Sequence, residues 1–185
     1  MRTENKLDPL DQILVIDIEA TCWEGKIPKQ QQNEIIEIGI CVLDTRLAYK
    51  RISSDSILVK PNSEVSEFCT RLTTLTQADV DKGVSLKEAC AILQTKYHSK
   101  QCTWASYGAY DRKQFKKECR NKGIEYPFNK EHINVKQLFT ETLHLKRRVG
   151  MAGALKILEF PLEGTHHRGI DDAWNIAKIL AWLLK

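Results

Sequence analysis

Residues 12–19, QILVIDIE, are the stretch that decides the fold, because four apolar residues from Ile13 to Ile16 lead directly into two acids. A short, β-branched apolar run is typical of a central strand covered on both faces. Side chains alternate along a strand, so Asp17 and Glu19 share one face and Ile18 points to the other. Taken alone, the acids are either solvated at the strand end or a cation site, since burying an unpaired carboxylate costs several kcal/mol.

Strands and helices can be assigned outward from this run. Two β-branched runs follow it before any helical pattern appears, at 34–43 and 56–60, the second ended by Pro61. Three early strands without intervening helices predict an α/β fold with a mixed sheet, because a doubly wound parallel sheet needs a helix after each early strand. The later predicted elements are a helix over 85–97, a strand over 103–107, a helix from about 111, a short strand or helix start within 133–143, and helices over 152–159 and 172–184.

Length and composition bound the class of protein. The 185 residues are the size of one domain, predicted over 12–185 after an N-terminal extension over 1–11. With 42% hydrophobic and 28% charged residues, 9 Gly and 5 Pro, the composition excludes collagen-like and disordered chains. No apolar run approaches the ~20 residues needed to cross a bilayer, and the N-terminus lacks a signal-peptide core. We therefore expect a cytoplasmic protein without membrane contact.

Charge and cysteine content leave the partner open. The 28 Lys+Arg exceed the 24 Asp+Glu by four, which is compatible with a polyanionic partner without requiring one. Basic side chains crowd 112–122 and 146–148, where they are either a solvated face or a track for phosphates. The cysteines are scattered without metal-binding spacing and are interpreted as reduced, structural thiols: Cys22, Cys41, Cys69, Cys90, Cys102 and Cys119.

Further acids stand at the ends of predicted elements. Asp111 follows Gly108 at a strand-to-helix junction, and Asp171 and Asp172 precede or open the last helix. Each of these could cap its helix or turn toward the first strand. His167 lies on the loop before Asp172. Three acid sites and a loop histidine together favour an oxygen-rich site for Mg²⁺ or Mn²⁺.

Five motifs in order carry a family resemblance: VIDIEATCW at 15–23, EIIEIG at 34–39, FCTRLTTLTQADVD at 68–81, SYGAYDRKQF at 106–115 and HHRGIDDAWNIAKI at 166–179. With them the chain resembles the DEDDh branch of the 3′-to-5′ exonucleases, which have an RNase H-like fold. It is most similar to the histone-mRNA and small-RNA exoribonuclease and KapD-like subgroup. The resemblance runs from about Ile13 to Leu184 and implies a mixed five-stranded sheet flanked by helices, with the first strand central.

The resemblance also assigns roles. Asp17, Glu19, Asp111 and Asp172 match the four acids that hold two Mg²⁺ or Mn²⁺ ions, and His167 matches the general base. His166 is the neighbouring imidazole, and Asp171 is interpreted as a helix cap. Two ions ~3.5–4 Å apart suit phosphodiester hydrolysis, because they activate a water and neutralise the leaving oxygen. An imidazole with a pKa of ~6.5 can take the water's proton near neutral pH.

The substrate expected from the resemblance is single-stranded nucleic acid, RNA rather than DNA, cut from its 3′ end. Trp23 is either a stacking platform for a base or a buried core residue. The residues expected to hold the terminal nucleotide are Thr21, Trp23, Phe68, Leu72, Leu75 and Thr76, with Thr21 or Thr76 contacting the ribose. Two alternatives stay open: a DNA-directed proofreading or repair exonuclease, and a domain that binds nucleic acid without cutting it. The intact set of four acids and His167 argues against the second.

Overall fold

The computed structural model describes residues 8–185, so the first seven residues of the predicted N-terminal extension lie outside it. The strands are β1 Gln12–Ala20, β2 Ile35–Asp44, β3 Lys50–Leu58, β4 Thr103–Ser106 and β5 His132–Asn134. The helices are α1 Glu67–Thr73, α2 Gln77–Val80, α3 Leu86–Lys96, α4 Tyr110–Lys122, α5 Val135–Thr142, α6 Met151–Ile157 and α7 Gly169–Leu183.

The five strands form one mixed sheet in the order β3-β2-β1-β4-β5. β1 pairs antiparallel with β2 and parallel with β4, while β2–β3 is antiparallel and β4–β5 parallel. Leu14, Val15 and Ile16 of β1 are fully buried, as a central strand covered on both faces requires. The predicted mixed five-stranded α/β sheet with a central first strand is confirmed.

Each face of the sheet has its own hydrophobic core. Leu14 and Ile16 pack on one face among side chains of α3 and α4, including Leu93 and Phe115. Ile13 and Val15 pack on the other face against α5, α6 and α7, through Phe139, Leu155, Ile176 and their neighbours. Alternation along β1 puts Asp17 and Glu19 on this second face, beneath the start of α7.

The elements that differ from prediction are marginal ones. β3 begins at Lys50 rather than Ser56, because it is an edge strand whose polar residues face solvent. No helix was predicted over α1 and α2, which are short and held by capping: Ser66 accepts a hydrogen bond from the backbone N–H of Cys69, and Thr76 and Asp79 form a capping box. The ambiguous stretch at 133–143 is both elements, β5 followed directly by α5.

The cysteines agree with the interpretation drawn from their spacing. All six cysteines are free thiols, and five are buried. No helix within residues 8–185 is long and apolar enough to cross a membrane.

Candidate active site

Three elements bring four carboxylates to one place. Asp17 and Glu19 lie on β1, Asp111 in the first turn of α4, and Asp172 in the first turn of α7. Carboxylate oxygens of Asp17, Glu19 and Asp172 lie within 4.8 Å of one another. Asp111 joins them in lining an open cavity of about 340 Å³, together with His166 and His167. The structure thus brings together every acid and histidine predicted for catalysis.

Two glycines allow α7 to rest directly on the sheet. Gly39 of β2 is the cross-strand partner of Asp17, and a Cβ added to Gly39 would lie 1.8 Å from the carbonyl oxygen of Gly169. A Cβ on Gly169 would come within 3.3 Å of the carbonyl oxygen of Asp17. Only backbone fits between the two elements, so Asp172, one turn into α7, is placed beside Asp17.

Glu37 is a further acid near this cluster, and it anchors the start of α7. Its carboxylate accepts hydrogen bonds from the backbone N–H of Gly169 (2.8 Å), the Arg168 guanidinium and the Ser56 hydroxyl (2.7 Å). The N-cap residue Arg168 supplies no side-chain cap, so a carboxylate from β2 satisfies the helix terminus instead. Sequence reasoning did not assign Glu37 a role, although an acid in the middle of the apolar run EIIEIG was an available signal.

Asp111 is fixed by the neighbouring strands. Its carboxylate accepts a hydrogen bond from the backbone N–H of Ile18 (3.1 Å). The N-cap of α4 is Ala109, so the interpretation of Asp111 as a helix cap is wrong. The bond to Ile18 instead ties the start of α4 to β1, between Asp17 and Glu19.

Asp172 is held by both histidines in different ways. Its carboxylate lies 2.9 and 3.1 Å from Nδ1 of His166 and accepts a hydrogen bond from the backbone N–H of His167 (3.0 Å). The two imidazoles stack with their centroids 3.9 Å apart. His167 has a left-handed φ of 67°, which turns the loop immediately before α7. The ring in contact with Asp172 is therefore that of His166, with His167 stacked beside it.

Asp171 does not cap α7, and that interpretation is wrong. Arg168 is the N-cap residue, and Asp171 lies in the first turn. Its carboxylate accepts a hydrogen bond from the backbone N–H of Thr165 (2.8 Å), which fastens the histidine loop to the helix.

Burial and mutual repulsion raise the pKa values of carboxylates in this cluster. Burial and the charges of Asp111, Asp172, Glu19 and Glu37 all raise the pKa of Asp17. Burial, followed by the charge of Asp172, raises the pKa of Glu19 from 4.5 to about 9. Clustered carboxylates of this kind are stabilised by a divalent cation, and hard oxygen donors suit Mg²⁺ or Mn²⁺. The donor set therefore fits the predicted ions.

The predicted nucleotide-binding residues lie outside the lining of this cavity. Thr21 is buried, its hydroxyl donating to the carbonyl of Gln32 and accepting from the N–H of Glu34. Leu75 is only 3% exposed, and the exposed Thr76 bonds to Asp79. These three stabilise the scaffold, and a substrate contact by any of them stays a prediction.

Trp23, Phe68 and Leu72 are each partly exposed. Trp23 is therefore not the buried core residue that one interpretation allowed. These three side chains can contribute surface to a nucleotide.

The cavity also has lining residues that sequence reasoning missed. Tyr110, 52% exposed, donates a hydrogen bond from its hydroxyl to the Asn33 side chain (3.0 Å). Tyr107 and Lys136 line the wall beside Asp111. Both tyrosines belong to the motif at 106–115 that contains Asp111, so that motif could have predicted their place in the site. Lys136 carries no local signal, because the pairing of β5 with β4 brings it to the site.

Comparison with known proteins gives a consistent result. Residues 14–180 match the family model described as Exonuclease. The 3′-5′ exoribonuclease 1 of Rattus norvegicus is 31% identical over 199 residues, covering 100% of this chain and 56% of that protein. The chain thus spans about half the length of the curated relatives it matches.

Solved structures are similar over nearly the whole chain. The nuclease domain of 3′hExo, described as a DEDDh family member bound to rAMP, has a TM-score of 0.83 at 29% identity, covering 96% of this chain and 94% of that one. A 3′-exonuclease described in 3′-end specific recognition of histone mRNA stem-loop has a TM-score of 0.82 at 29% identity, covering 96% and 83%.

Proposed function

Because the chain belongs to the exonuclease family, we propose that it is a metal-dependent 3′-to-5′ exonuclease of single-stranded RNA or short oligonucleotides. It releases nucleoside 5′-monophosphates. The observation that carries this proposal is the convergence of Asp17, Glu19, Asp111 and Asp172 from three separate elements onto one open cavity. The family resemblance and the RNase H-like fold implied by the motifs are confirmed.

Divalent metal is the cofactor class of this family. We assign two Mg²⁺ or Mn²⁺ ions to Asp17, Glu19, Asp111 and Asp172. When bound, such ions lower the pKa of the attacking water and neutralise the leaving oxygen. Around them, Glu37 and the glycine contact hold Asp172 in place, and the Ile18 N–H holds Asp111. The site therefore has carboxylates positioned by backbone contacts before substrate binds.

His167 is assigned as the general base that accepts the water's proton at an imidazole nitrogen. Support comes from its place in the cavity wall and from the loop that carries it, which is fastened at Asp172 and Asp171. His166 is assigned as a positioning residue, since its Nδ1 contacts the carboxylate of Asp172.

RNA is the substrate we favour, because the relatives are named exoribonucleases and the nuclease domain of 3′hExo was solved with rAMP. A DNA-directed exonuclease would use the same acids and differ only in how it senses the 2′-hydroxyl. The positive net charge of four is compatible with either. A cytoplasmic location is also proposed, from sequence composition.

One assay tests the reaction and its direction. RNA and DNA oligonucleotides labelled at the 5′ end are incubated with Mg²⁺, Mn²⁺ or EDTA. We expect a ladder shortened from the 3′ end with either ion, none in EDTA, and slower cleavage when the 3′-hydroxyl is blocked. Cuts within a circular single-stranded substrate would show an endonuclease and contradict the proposal.

A further inference from the structure

We propose that Lys136 binds the phosphate one nucleotide upstream of the cleaved bond, so that this site prefers an oligonucleotide to a single-nucleotide ester. The inference rests on the proposed exonuclease function and adds to it a residue that recognises the substrate strand. Lys136 belongs to none of the motifs that carry the family resemblance.

Lys136 is the one lysine or arginine within residues 8–185 that lines the carboxylate cavity. It lies in the first turn of α5 and is partly buried. Asp111 lines the same cavity, and the positive charge of Lys136 opposes the rise that burial causes in the pKa of Asp111. Within residues 8–185, however, no carboxylate oxygen lies within 4.0 Å of the Lys136 ammonium nitrogen, so the lysine forms no ion pair there. Its charge is available to an anionic ligand.

The Lys136 ammonium contacts the ring of Tyr107. The Lys136 ammonium lies 5.4 Å from the centroid of the Tyr107 ring, within the range of a cation–π contact. The Tyr107 hydroxyl donates to the carbonyl oxygens of Val149 and Gly150, each at 3.2 Å. The ring is tethered to the α5–α6 loop, and its contact favours a position of the ammonium at the cavity wall.

The arrangement of the site indicates which phosphate Lys136 would meet. Beyond the end of β1 the chain reaches Cys22 and Trp23. The Cys22 carbonyl accepts a hydrogen bond (2.6 Å) from Ser66, the N-cap of α1, so α1 lies at this end of the strand. Phe68 of α1, predicted to hold the terminal nucleoside, lies on that side. Lys136 follows β5, beyond β4 on the opposite side of β1. A strand with its 3′ nucleoside toward α1 and its cleaved phosphate at the carboxylates has its preceding phosphate toward Lys136.

The experiment removes the lysine charge and the phosphate charge separately and together. Lys136→Gln is compared with wild type on an RNA oligonucleotide, on the same oligonucleotide with one neutral methylphosphonate upstream of the cleaved bond, and on a nucleoside 5′-phosphate p-nitrophenyl ester. Lys87→Gln is the matched control, because Lys87 is exposed on α3, against the opposite face of the sheet. Thermal melts confirm that each variant folds.

We expect Lys136→Gln to lower kcat/KM on the natural oligonucleotide about tenfold, mainly through KM, with the ester and Lys87→Gln unaffected. The methylphosphonate should lower wild-type kcat/KM by a similar factor and leave Lys136→Gln unchanged. Lys136→Arg should restore most of the loss. Equal losses on oligonucleotide and ester would place Lys136 at the cleaved phosphate and overturn the proposal. Additive effects of Lys136→Gln and the methylphosphonate would overturn it as well.

Measuring the affinity for the oligonucleotide tests the phosphate contact independently of cleavage. In an Asp17→Asn background, where turnover is not required, Kd is measured for Lys136 and Lys136→Gln, each with the natural and the methylphosphonate oligonucleotide. Wild-type protein that cleaves none of these substrates would contradict the exonuclease function. Non-additive Kd values would still support the phosphate contact, and additive ones would overturn it.

Discussion

At the scale of single residues, Asp17 occupies a position set by the strand and is unfavourable there without a cation. Its neighbours in β1 are buried apolar residues, and its pKa is raised by burial and by the surrounding carboxylates. A buried acid among other acids lowers the stability of the metal-free fold, and it provides a geometry that can bind a metal ion. This combination is typical of functional sites.

Replacing one acid separates metal binding from folding. We expect Asp17→Asn and Asp172→Asn each to lower turnover on the order of 10²–10³-fold or more, because a group that stabilises transition-state charge is lost. In EDTA the Tm of Asp17→Asn should equal or exceed that of wild type, since a repelled carboxylate is removed, whereas Asp172→Asn also loses the charged contact with His166. Turnover and thermal melts in EDTA check both parts. Cleavage at the wild-type rate would show that the metal assignment is wrong.

The two histidines can be distinguished by substitution. We expect His167→Ala to lose roughly 10²–10⁴-fold in rate, as for loss of a general base, while still binding Mn²⁺ and oligonucleotide. His166→Ala should weaken Mn²⁺ binding through Asp172, but it should keep the low-pH limb of the rate profile. The reverse outcome, in which His166→Ala removes the limb and His167→Ala retains it, would transfer the role of base to His166.

Some of these residues could be predicted and others could not. The four acids stand in the motifs that carry the family resemblance, and that resemblance assigned them, whereas spacing alone left Asp111 and Asp172 open as helix caps. Glu37 binds the N–H of Gly169, which is 132 positions away, and Lys136 reaches the cavity because it follows β5, which is separated from β1 by β4. Only the tertiary fold creates those neighbours, and a single sequence does not display them.

At the scale of elements, the contact between β2 and α7 determines where Asp172 lies. A Cβ on Gly39 would meet the backbone carbonyl of Gly169, and backbone cannot rotate away as a side chain can. We expect Gly39→Ala to lower the free energy of unfolding by at least about 1–3 kcal/mol and to weaken Mn²⁺ binding, because α7 must shift. Chemical denaturation and Mn²⁺ titration measure the two effects.

Gly153→Ala is the matched control for that substitution. Gly153 lies within α6, where the nearest atom to an added Cβ is the Cβ of Val149 at 3.4 Å. Alanine in a helix interior is favoured over glycine by roughly 0.5–1 kcal/mol, so this variant should be as stable as wild type or more so. Equal destabilisation by both substitutions would contradict the importance of the Gly39 contact.

Elements were predictable where their apolar residues pack on a core, and less so at the exposed edge of the sheet and in short capped helices. The periodicity of β1, β2 and α3 follows from packing on a core, and their predicted positions agree closely with the structure. The start of β3 was missed because an edge strand has no apolar pattern on its solvent side. The four-residue α2 depends on a capping box more than on any periodic apolar face.

At the scale of the whole molecule, the acid cluster makes stability depend on pH and on metal. The pKa of Glu19 is about 9 in the folded protein against 4.5 as reference, and that of Asp17 is also raised. The folded state therefore keeps protons that the unfolded state has lost. Between the two pKa values the stability of the metal-free protein must fall as pH rises, by up to about 1.4 kcal/mol per pH unit for each such group.

The interval from pH 7 to 8 isolates this effect. The pKa of His132 is lowered from 6.5 to about 4 and that of Glu163 from 4.5 to about 2, so both groups change stability mainly below pH 7. The pKa values of Cys22 and Cys41, raised from 9.0 to about 12 by burial, matter at higher pH. In EDTA we expect the Tm of the wild-type protein to fall from pH 7 to pH 8, and that of Glu19→Gln to fall less. Mn²⁺ should raise the wild-type Tm more at pH 8 than at pH 7, because protons compete with the ion for the same carboxylates. If the Tm in EDTA did not change with pH in either wild type or Glu19→Gln, the carboxylate cluster would not be the source of a pH-dependent stability.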